Sequence, residues 1–141
     1  MSEARKVPVF FYGSFIDRDV LARGGLVPER VTVARLDGFG IARRPLATLD
    51  RSDRHAVYGI LTGATHEELE RLYGQAWVRA YKPEPVLVTT AEGALHPALC
   101  YIAPGRTADP PMERYLDHIL RPARELGFPA WYIERLERLK P

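Results

Sequence analysis

The residues with the clearest chemical potential in this chain are Tyr12-Gly13-Ser14-Phe15, where an apolar run ends in a glycine turn. The preceding residues 8–11 are continuously apolar, which is typical of a buried strand, and residues 17–21 have the composition of a first helical turn. A strand, a tight turn and a helix start together point backbone N–H groups at one place, which is typical of a site for an anion or a carbonyl oxygen. Taken alone, the local sequence favours the simpler interpretation, an ordinary strand-to-helix connection.

A second candidate is the densest basic cluster, Arg43-Arg44 with Arg51 and Arg54 nearby. Paired guanidinium groups beside a glycine-rich bend can bind a carboxylate or a phosphate through their forked donors. The same charges are also typical of a solvated hairpin edge that discourages sheet aggregation, and this second interpretation is the more common one.

The histidines and the cysteine predict neither a metal site nor a nucleophile. His55, His66 and His96 lie at expected strand or helix edges, and their spacings match no metal-binding signature. Cys100 is the only cysteine and lies in an apolar run, so it cannot form an internal disulfide, and we expect a small buried residue.

Composition restricts the kind of partner. The chain has 141 residues, a net charge of +2 and 27% charged residues of both signs. This balance gives no strong steering toward nucleic acid, and no apolar stretch approaches the length needed to cross a membrane. Residues 1–6 lead into the first strand without the apolar core of a signal peptide. We expect one cytoplasmic domain over residues 1–141 that binds neither nucleic acid nor membrane.

The centre of the chain is rich in β-branched and alternating residues, which predicts a set of strands. Five segments share this pattern, at residues 30–36, 46–49, 56–61, 85–90 and 95–103. Residues 50–54 are polar and predict a turn between the second and third of them. Gly38 and Gly40 indicate a bulge or close backbone packing.

Helices are predicted on both sides of these strands. One covers residues 17–23, and another begins at Thr65, where Thr65 and Glu68 fit a capping box. Helical spacing returns from Tyr115, but Pro122 is expected to kink or split this helix because proline lacks an N–H. Strands in the middle with helices around them predict an α+β fold.

Four stretches of the chain follow one another in a characteristic order. They are Val9-Phe10-Phe11-Tyr12-Gly13-Ser14-Phe15, Val57-Tyr58-Gly59-Ile60-Leu61 with the helix at 67–72, Tyr81 with Val86-Leu87-Val88, and residues 115–129. In order and spacing they resemble the motifs of the γ-glutamylcyclotransferase-like superfamily, which includes the AIG2-like proteins. The resemblance covers nearly the whole chain. It implies a small mixed β-barrel or strongly curved sheet with peripheral helices, and no metal or organic cofactor.

In this family the Tyr-Gly-Ser loop forms one wall of a cavity for a γ-glutamyl group. The resemblance therefore implies that Tyr12, Gly13, Ser14 and Phe15 bind a small molecule, a γ-glutamyl amine or another carboxylate. Enzymes of the family release 5-oxoproline: the α-amine of the substrate attacks its own γ-carbonyl and expels the amine, while a glutamate transfers the proton.

Two tyrosines complete the implied site. By the same resemblance, Tyr81 follows the catalytic loop and directs its hydroxyl toward the ligand. Tyr101 lies where longer members of the family carry another tyrosine on a later strand. A tyrosine hydroxyl offers a donor and an acceptor at one atom, which suits a carboxylate. The alternative for each is a core aromatic with its hydroxyl at the surface.

The sequence departs from the family where the glutamate is expected. Laid from Leu72, the family's Leu-Asp-x-x-Glu-Gly run reads Leu72-Tyr73-Gly74-Gln75-Ala76-Trp77, so the acid position is Ala76. A methyl group cannot transfer a proton, and general acid–base assistance is worth about a hundredfold to ten-thousandfold in rate. No carboxylate lies between Glu70 and Glu84. The catalytic residue is therefore unknown, and three explanations stay open: a carboxylate from elsewhere, other chemistry, or a protein that only binds.

Overall fold

The computed structural model describes residues 5–139, in which five strands form a closed barrel with helices outside it. The strands are β1 (Lys6–Phe11), β2 (Thr32–Arg43), β3 (Ala47–Thr65), β4 (Lys82–Thr90) and β5 (Leu95–Ile102). They follow the order β1-β3-β2-β4-β5, and parallel pairing of β1 with β5 closes the barrel while the other pairs are antiparallel. The predicted α+β fold with a small mixed barrel is confirmed.

The described part of the chain has four α-helices, α1 (Arg18–Arg23), α2 (His66–Tyr73), α3 (Asp117–Glu125) and α4 (Ala130–Glu137). A 3-10 turn at Ser14–Ile16 precedes α1, and another at Ala76–Val78 follows α2. The predicted capping box is confirmed at the start of α2. The Glu68 N–H donates to the Thr65 hydroxyl at 3.1 Å, and the Thr65 N–H donates to the Glu68 carboxylate at 2.8 Å.

The predicted turn at residues 50–54 is wrong, because β3 is continuous through them. Arg51 pairs with Phe39 of β2 and Ala56 pairs with Asp37, so the intervening residues of β3 oppose Gly38 alone. Gly38 has a φ of +87°, a conformation that glycine adopts without strain. The bulge predicted there is confirmed, and it contains most of the polar residues that predicted a turn.

The predicted split of the helix at Pro122 is also wrong, whereas the alternative of a kink there stays a prediction. α3 runs through Pro122 to Glu125, and the proline ring is buried together with Ile119 and Ala123. Burial on the core side offsets the one backbone hydrogen bond that the proline removes. The helix ends where Gly127 takes a φ of +77° and the Phe128 N–H donates to the Ala123 carbonyl.

The C-terminal helix packs on the barrel through aromatic contacts. Tyr132 of α4 is fully buried, and its ring centroid lies 5.4 Å from that of Tyr58 on β3. Cys100 is buried, as predicted. Between residues 5 and 139 no helix is both long and apolar enough to span a bilayer. Residues 1–4 and 140–141 lie outside the described residues. The expectation that residues 1–6 contain no signal peptide therefore falls mostly outside them.

Candidate binding site

A cavity lies beside the Tyr-Gly-Ser loop, between the end of β1 and the segment that follows α2. All six residues predicted for the site line it together: Tyr12, Gly13, Ser14, Phe15, Tyr81 and Tyr101. The other lining residues are Phe11, Leu46, Ala47, Tyr73, Trp77, Val78 and Tyr115. Eight of these thirteen residues are aromatic and none is charged, so the cavity offers neutral donors, acceptors and ring surfaces.

The cavity is narrow. The volume open to the centres of water molecules is about 30 Å³, whereas one water needs at least about 10–15 Å³ by the same measure. In this conformation the cavity therefore has room for two or three waters. A larger ligand requires aromatic side chains of the wall to move, and Tyr73, Trp77 and Tyr101 are the partly exposed rings among them.

The polar part of the cavity is organised around Ala47, the first residue of β3. Its carbonyl accepts a hydrogen bond of 2.5 Å from the Tyr81 hydroxyl, and its N–H donates to the Tyr115 hydroxyl at 2.9 Å. The Tyr12 hydroxyl donates to the Tyr101 carbonyl at 2.7 Å. Burial raises the pKa of Tyr12, Tyr81 and Tyr115 above the ordinary value for tyrosine, so these hydroxyls stay protonated at neutral pH.

The loop itself presents backbone donors. The first N–H groups of a helical turn have no acceptor within that turn. Ile16 and Asp17 donate to the carbonyls of Gly13 and Ser14 at 3.1 and 3.0 Å. Within residues 5–139 no acceptor lies in hydrogen-bond range of the Ser14 or Phe15 N–H. These two donors are therefore free of intramolecular partners in the described chain.

A histidine that the sequence analysis did not weigh helps to hold the loop. Nδ1 of His118 on α3 lies 3.0 Å from a carboxylate oxygen of Asp17, which also caps α1 by accepting from the Asp19 N–H. Tyr115, three residues before His118, reaches the same loop from the same segment. The spacing of Tyr115 and His118 was the signal available in the sequence, but it does not indicate the loop as their partner.

The position predicted for the family glutamate differs from the rest of the site. Ala76 is exposed at the start of its 3-10 turn and does not line the cavity, whereas the next two residues, Trp77 and Val78, do. Among the described residues, no carboxylate or histidine contributes to the lining. A proton transfer inside this cavity has only neutral hydroxyls available.

Three of the four arginines in the basic cluster, Arg43, Arg44 and Arg51, make side-chain contacts within the chain. Arg44 makes two hydrogen bonds of 3.0 Å to the Asp50 carboxylate. Arg43 donates to the Pro45 carbonyl at 2.7 Å, and its guanidinium lies 5.5 Å from the centroid of the Tyr115 ring. Neither arginine lines the cavity. Across residues 5–139 no group of His, Cys, Asp or Glu is arranged to hold a metal ion.

Tyr115→Phe is expected to lower the free energy of unfolding by about 1–3 kcal/mol, because the buried Ala47 N–H loses its acceptor. Urea denaturation measures this loss. Tyr101→Phe is the matched control: the Tyr101 hydroxyl has no hydrogen bond within residues 5–139, so the change should stay below about 0.5 kcal/mol. Equal losses in the two variants would contradict the structural role given to the Tyr115 hydroxyl.

Solved structures share this architecture. A gamma-glutamyl cyclotransferase superposes with a TM-score of 0.78 at 24% identity, covering 97% of this chain and 89% of that chain. An uncharacterized human protein gives a TM-score of 0.76 at 25% identity, covering 96% and 89%. A glutathione-specific gamma-glutamyl cyclotransferase from yeast gives 0.64 at 12% identity, covering 97% and 96%. No curated protein matches the chain.

The closed barrel, its strand order and these likenesses define a γ-glutamylcyclotransferase-like fold. Within that class, the sequence profile of the AIG2-like family matches residues 56–136, more than half of the chain. The chain belongs to the AIG2-like family.

Proposed function

We propose that the cavity binds a small γ-glutamyl amine, or a similar carboxylate ligand, with its polar head at the Tyr-Gly-Ser loop. The observation that carries this proposal is that Ser14 and Phe15, whose N–H groups have no acceptor in the described chain, line one uncharged cavity together with Tyr81 and Tyr115. Preorganised neutral donors in a water-poor site stabilise a carbonyl oxygen on which negative charge develops.

The proposed reaction is an intramolecular acyl transfer. The neutral α-amine of the ligand attacks the γ-carbonyl carbon, and a new C–N bond closes the five-membered ring. The amide bond to the amine half breaks, and the proton lost by the attacking nitrogen ends on the leaving nitrogen. The products are 5-oxoproline and the free amine. Loop N–H groups that bind the carbonyl oxygen would lower the barrier to the tetrahedral intermediate.

A binding protein without catalysis is the second candidate, and the residues after α2 favour it. Ala76 supplies no proton-transferring group, and Tyr73 and Trp77 occupy part of the cavity with rings. Both candidates share the same ligand head and the same cavity. They differ only in whether the amide bond of the ligand is broken.

The test compares two isomers, γ-glutamyl methylamide and α-glutamyl methylamide, on the full chain. Calorimetry should show tighter binding of the γ isomer, by about tenfold, because only this isomer carries the γ-glutamyl head that we propose for the loop. Gly13→Ala should weaken this binding, since the added methyl would lie 3.3 Å from the Ala47 side chain and 3.7 Å from the Tyr115 hydroxyl. Gly105→Ala, where a methyl meets open space, is the matched control.

Two results decide between the candidates. Release of 5-oxoproline above the spontaneous rate, measured by mass spectrometry, supports the acyl transfer. Binding of the γ isomer without release of 5-oxoproline supports a binding protein without catalysis. Equal affinity for the two isomers, or affinity that Gly13→Ala leaves unchanged, would overturn the proposed ligand class itself.

A further inference from the structure

The cavity has two unlike parts. Its polar part is buried and contains Ser14 and Phe15, whose N–H groups have no acceptor in the described chain, and the hydroxyls of Tyr81 and Tyr115. Its other wall contains the partly exposed residues Tyr73, Trp77 and Tyr101. A ligand that places a polar head in the first part must therefore extend its remaining atoms along aromatic surface.

We infer that the amine half of the ligand is an uncharged aromatic or bulky apolar group that packs on Trp77 and Tyr73. The inference rests on the proposed function, because it assumes that the γ-glutamyl head lies at the loop. It adds the chemical class of the second half of the substrate and assigns the two rings as its specificity determinants.

The rings form one continuous wall. The Phe15 ring contacts Tyr73 and Trp77 edge to face, with both pairs of centroids 5.5 Å apart. Tyr73 stacks on Tyr101 with centroids 3.8 Å apart and an angle of 9° between the ring planes. When one ring of the wall moves aside, it loses a contact with its neighbouring ring. A flat apolar group of the ligand can make an equivalent contact in its place, so that little contact energy is lost.

A charged amine half would find no partner at this wall. No charged residue lines the cavity, and two charged residues of the neighbouring segments have other partners. Arg79 donates to the Gly74 carbonyl at 3.0 Å, and Glu84 pairs with Arg51. Burying an ion against these rings removes its hydration, and without a counter-charge no new interaction offsets that cost in free energy.

A cation held by the ring faces is the rival ligand, since aromatic faces attract ammonium groups. The stacking of Tyr73 on Tyr101 argues against it, because one face of each ring is covered by the other. The sequence also places large rings at both Tyr73 and Trp77, where the family motif has an aspartate and a glycine. The wall therefore differs from the family pattern in size and charge at the same two positions.

The test uses three amides that share the γ-glutamyl head: the methylamide, the benzylamide and the cationic 4-aminobutylamide. Calorimetry on the full chain should give a benzylamide affinity at least about tenfold above that of the methylamide, because the ring buries additional apolar surface. The 4-aminobutylamide should bind no more tightly than the methylamide. Where the amides are turned over, the ratios of kcat/KM replace the ratios of affinity.

Trp77→Ala should bring the ratio of benzylamide to methylamide affinity down to about one. Trp77→Gln, which keeps a long side chain without a ring, should do the same and serves if the alanine variant fails to fold. Trp131→Phe is the matched control, because Trp131 is the other tryptophan, is 49% exposed and lies outside the cavity. It should leave all three affinities unchanged.

Each remaining outcome contradicts a separate statement. Equal affinities of methylamide and benzylamide in the wild type, or tightest binding of the 4-aminobutylamide, would overturn the aromatic class while the proposed head-group site stands. A tenfold preference that survives both Trp77 variants would overturn the assignment of Trp77. Lack of binding by all three amides would remove the proposed function, and this inference with it.

Discussion

Ala76→Glu is expected to raise the rate of 5-oxoproline release from γ-glutamyl methylamide by about a hundredfold or more. The reason is that a carboxylate can accept the proton from the attacking nitrogen and return it to the leaving nitrogen, and such assistance is worth about a hundredfold to ten-thousandfold. Ala76 begins the 3-10 turn whose next residue lines the cavity. The prediction requires that the longer glutamate side chain extends from this exposed position to the ligand.

The pH profile of this variant provides a second readout. An exposed glutamate titrates near pH 4–5, so the gain in rate should be present above about pH 5 and be lost as the pH falls through that range. Ala76→Gln is the matched control, since it has nearly the same shape and no transferable proton at these pH values. The wild type and Ala76→Gln should release 5-oxoproline at similar rates.

Equal rates for the glutamate and glutamine variants would contradict the assignment of the family acid to position 76, unless the Trp77 ring blocks the path of the glutamate side chain to the ligand. The double variant with Trp77→Gly, the residue of the family motif, separates these cases. Activity that appears only in the double variant identifies a blocked site. A double variant as slow as Ala76→Gln shows that position 76 does not correspond to the family acid.

Local sequence predicted the features that neighbouring residues determine. The capping box of α2 depends on Thr65 and Glu68, three residues apart, and it forms as expected. The bulge at Gly38 depends on one residue that tolerates a positive φ. The six predicted site residues meet in one cavity, but their choice came from the resemblance to a family, since Tyr81 and Tyr101 have no local signal of their own.

Features that depend on distant residues were missed. Asp50 and Arg51 belong to a strand because they pair with Gly40 and Phe39 of β2, and the residues that follow them form the bulge opposite Gly38. Tyr115 reaches Ala47 across 68 positions, and His118 reaches Asp17 across 101. Pro122 stays in α3 because its ring is buried against the core. The rule that proline interrupts a helix concerns isolated helices and does not include such burial. In each case tertiary packing overrides the local preference.

Gly59→Ala is expected to destabilise the fold more than a glycine-to-alanine change usually does. A Cβ at position 59 would overlap the carbonyl oxygen of Phe11 and lie 2.8 Å from the Phe10 ring, which is almost fully buried. Backbone atoms cannot rotate away, so β1 must shift relative to β3. Overpacking of a core costs about 1–3 kcal/mol and occasionally more. We expect a loss of about 3 kcal/mol or more at Gly59, because a carbonyl oxygen is the atom displaced.

Thermal unfolding followed by circular dichroism measures the effect as a decrease in Tm of about 10 °C, at roughly 3–5 °C per kcal/mol for a chain of this size. Gly63→Ala is the matched control on the same strand, since its Cβ would meet only the Lys6 side chain at 3.4 Å.

Phe11 is also the last residue of β1 before the Tyr-Gly-Ser loop, and it lines the cavity. A variant that remains folded should therefore also bind γ-glutamyl methylamide less tightly. Equal Tm values for the two variants would show that the close approach of β1 to Gly59 fixes neither the barrel nor the position of the loop.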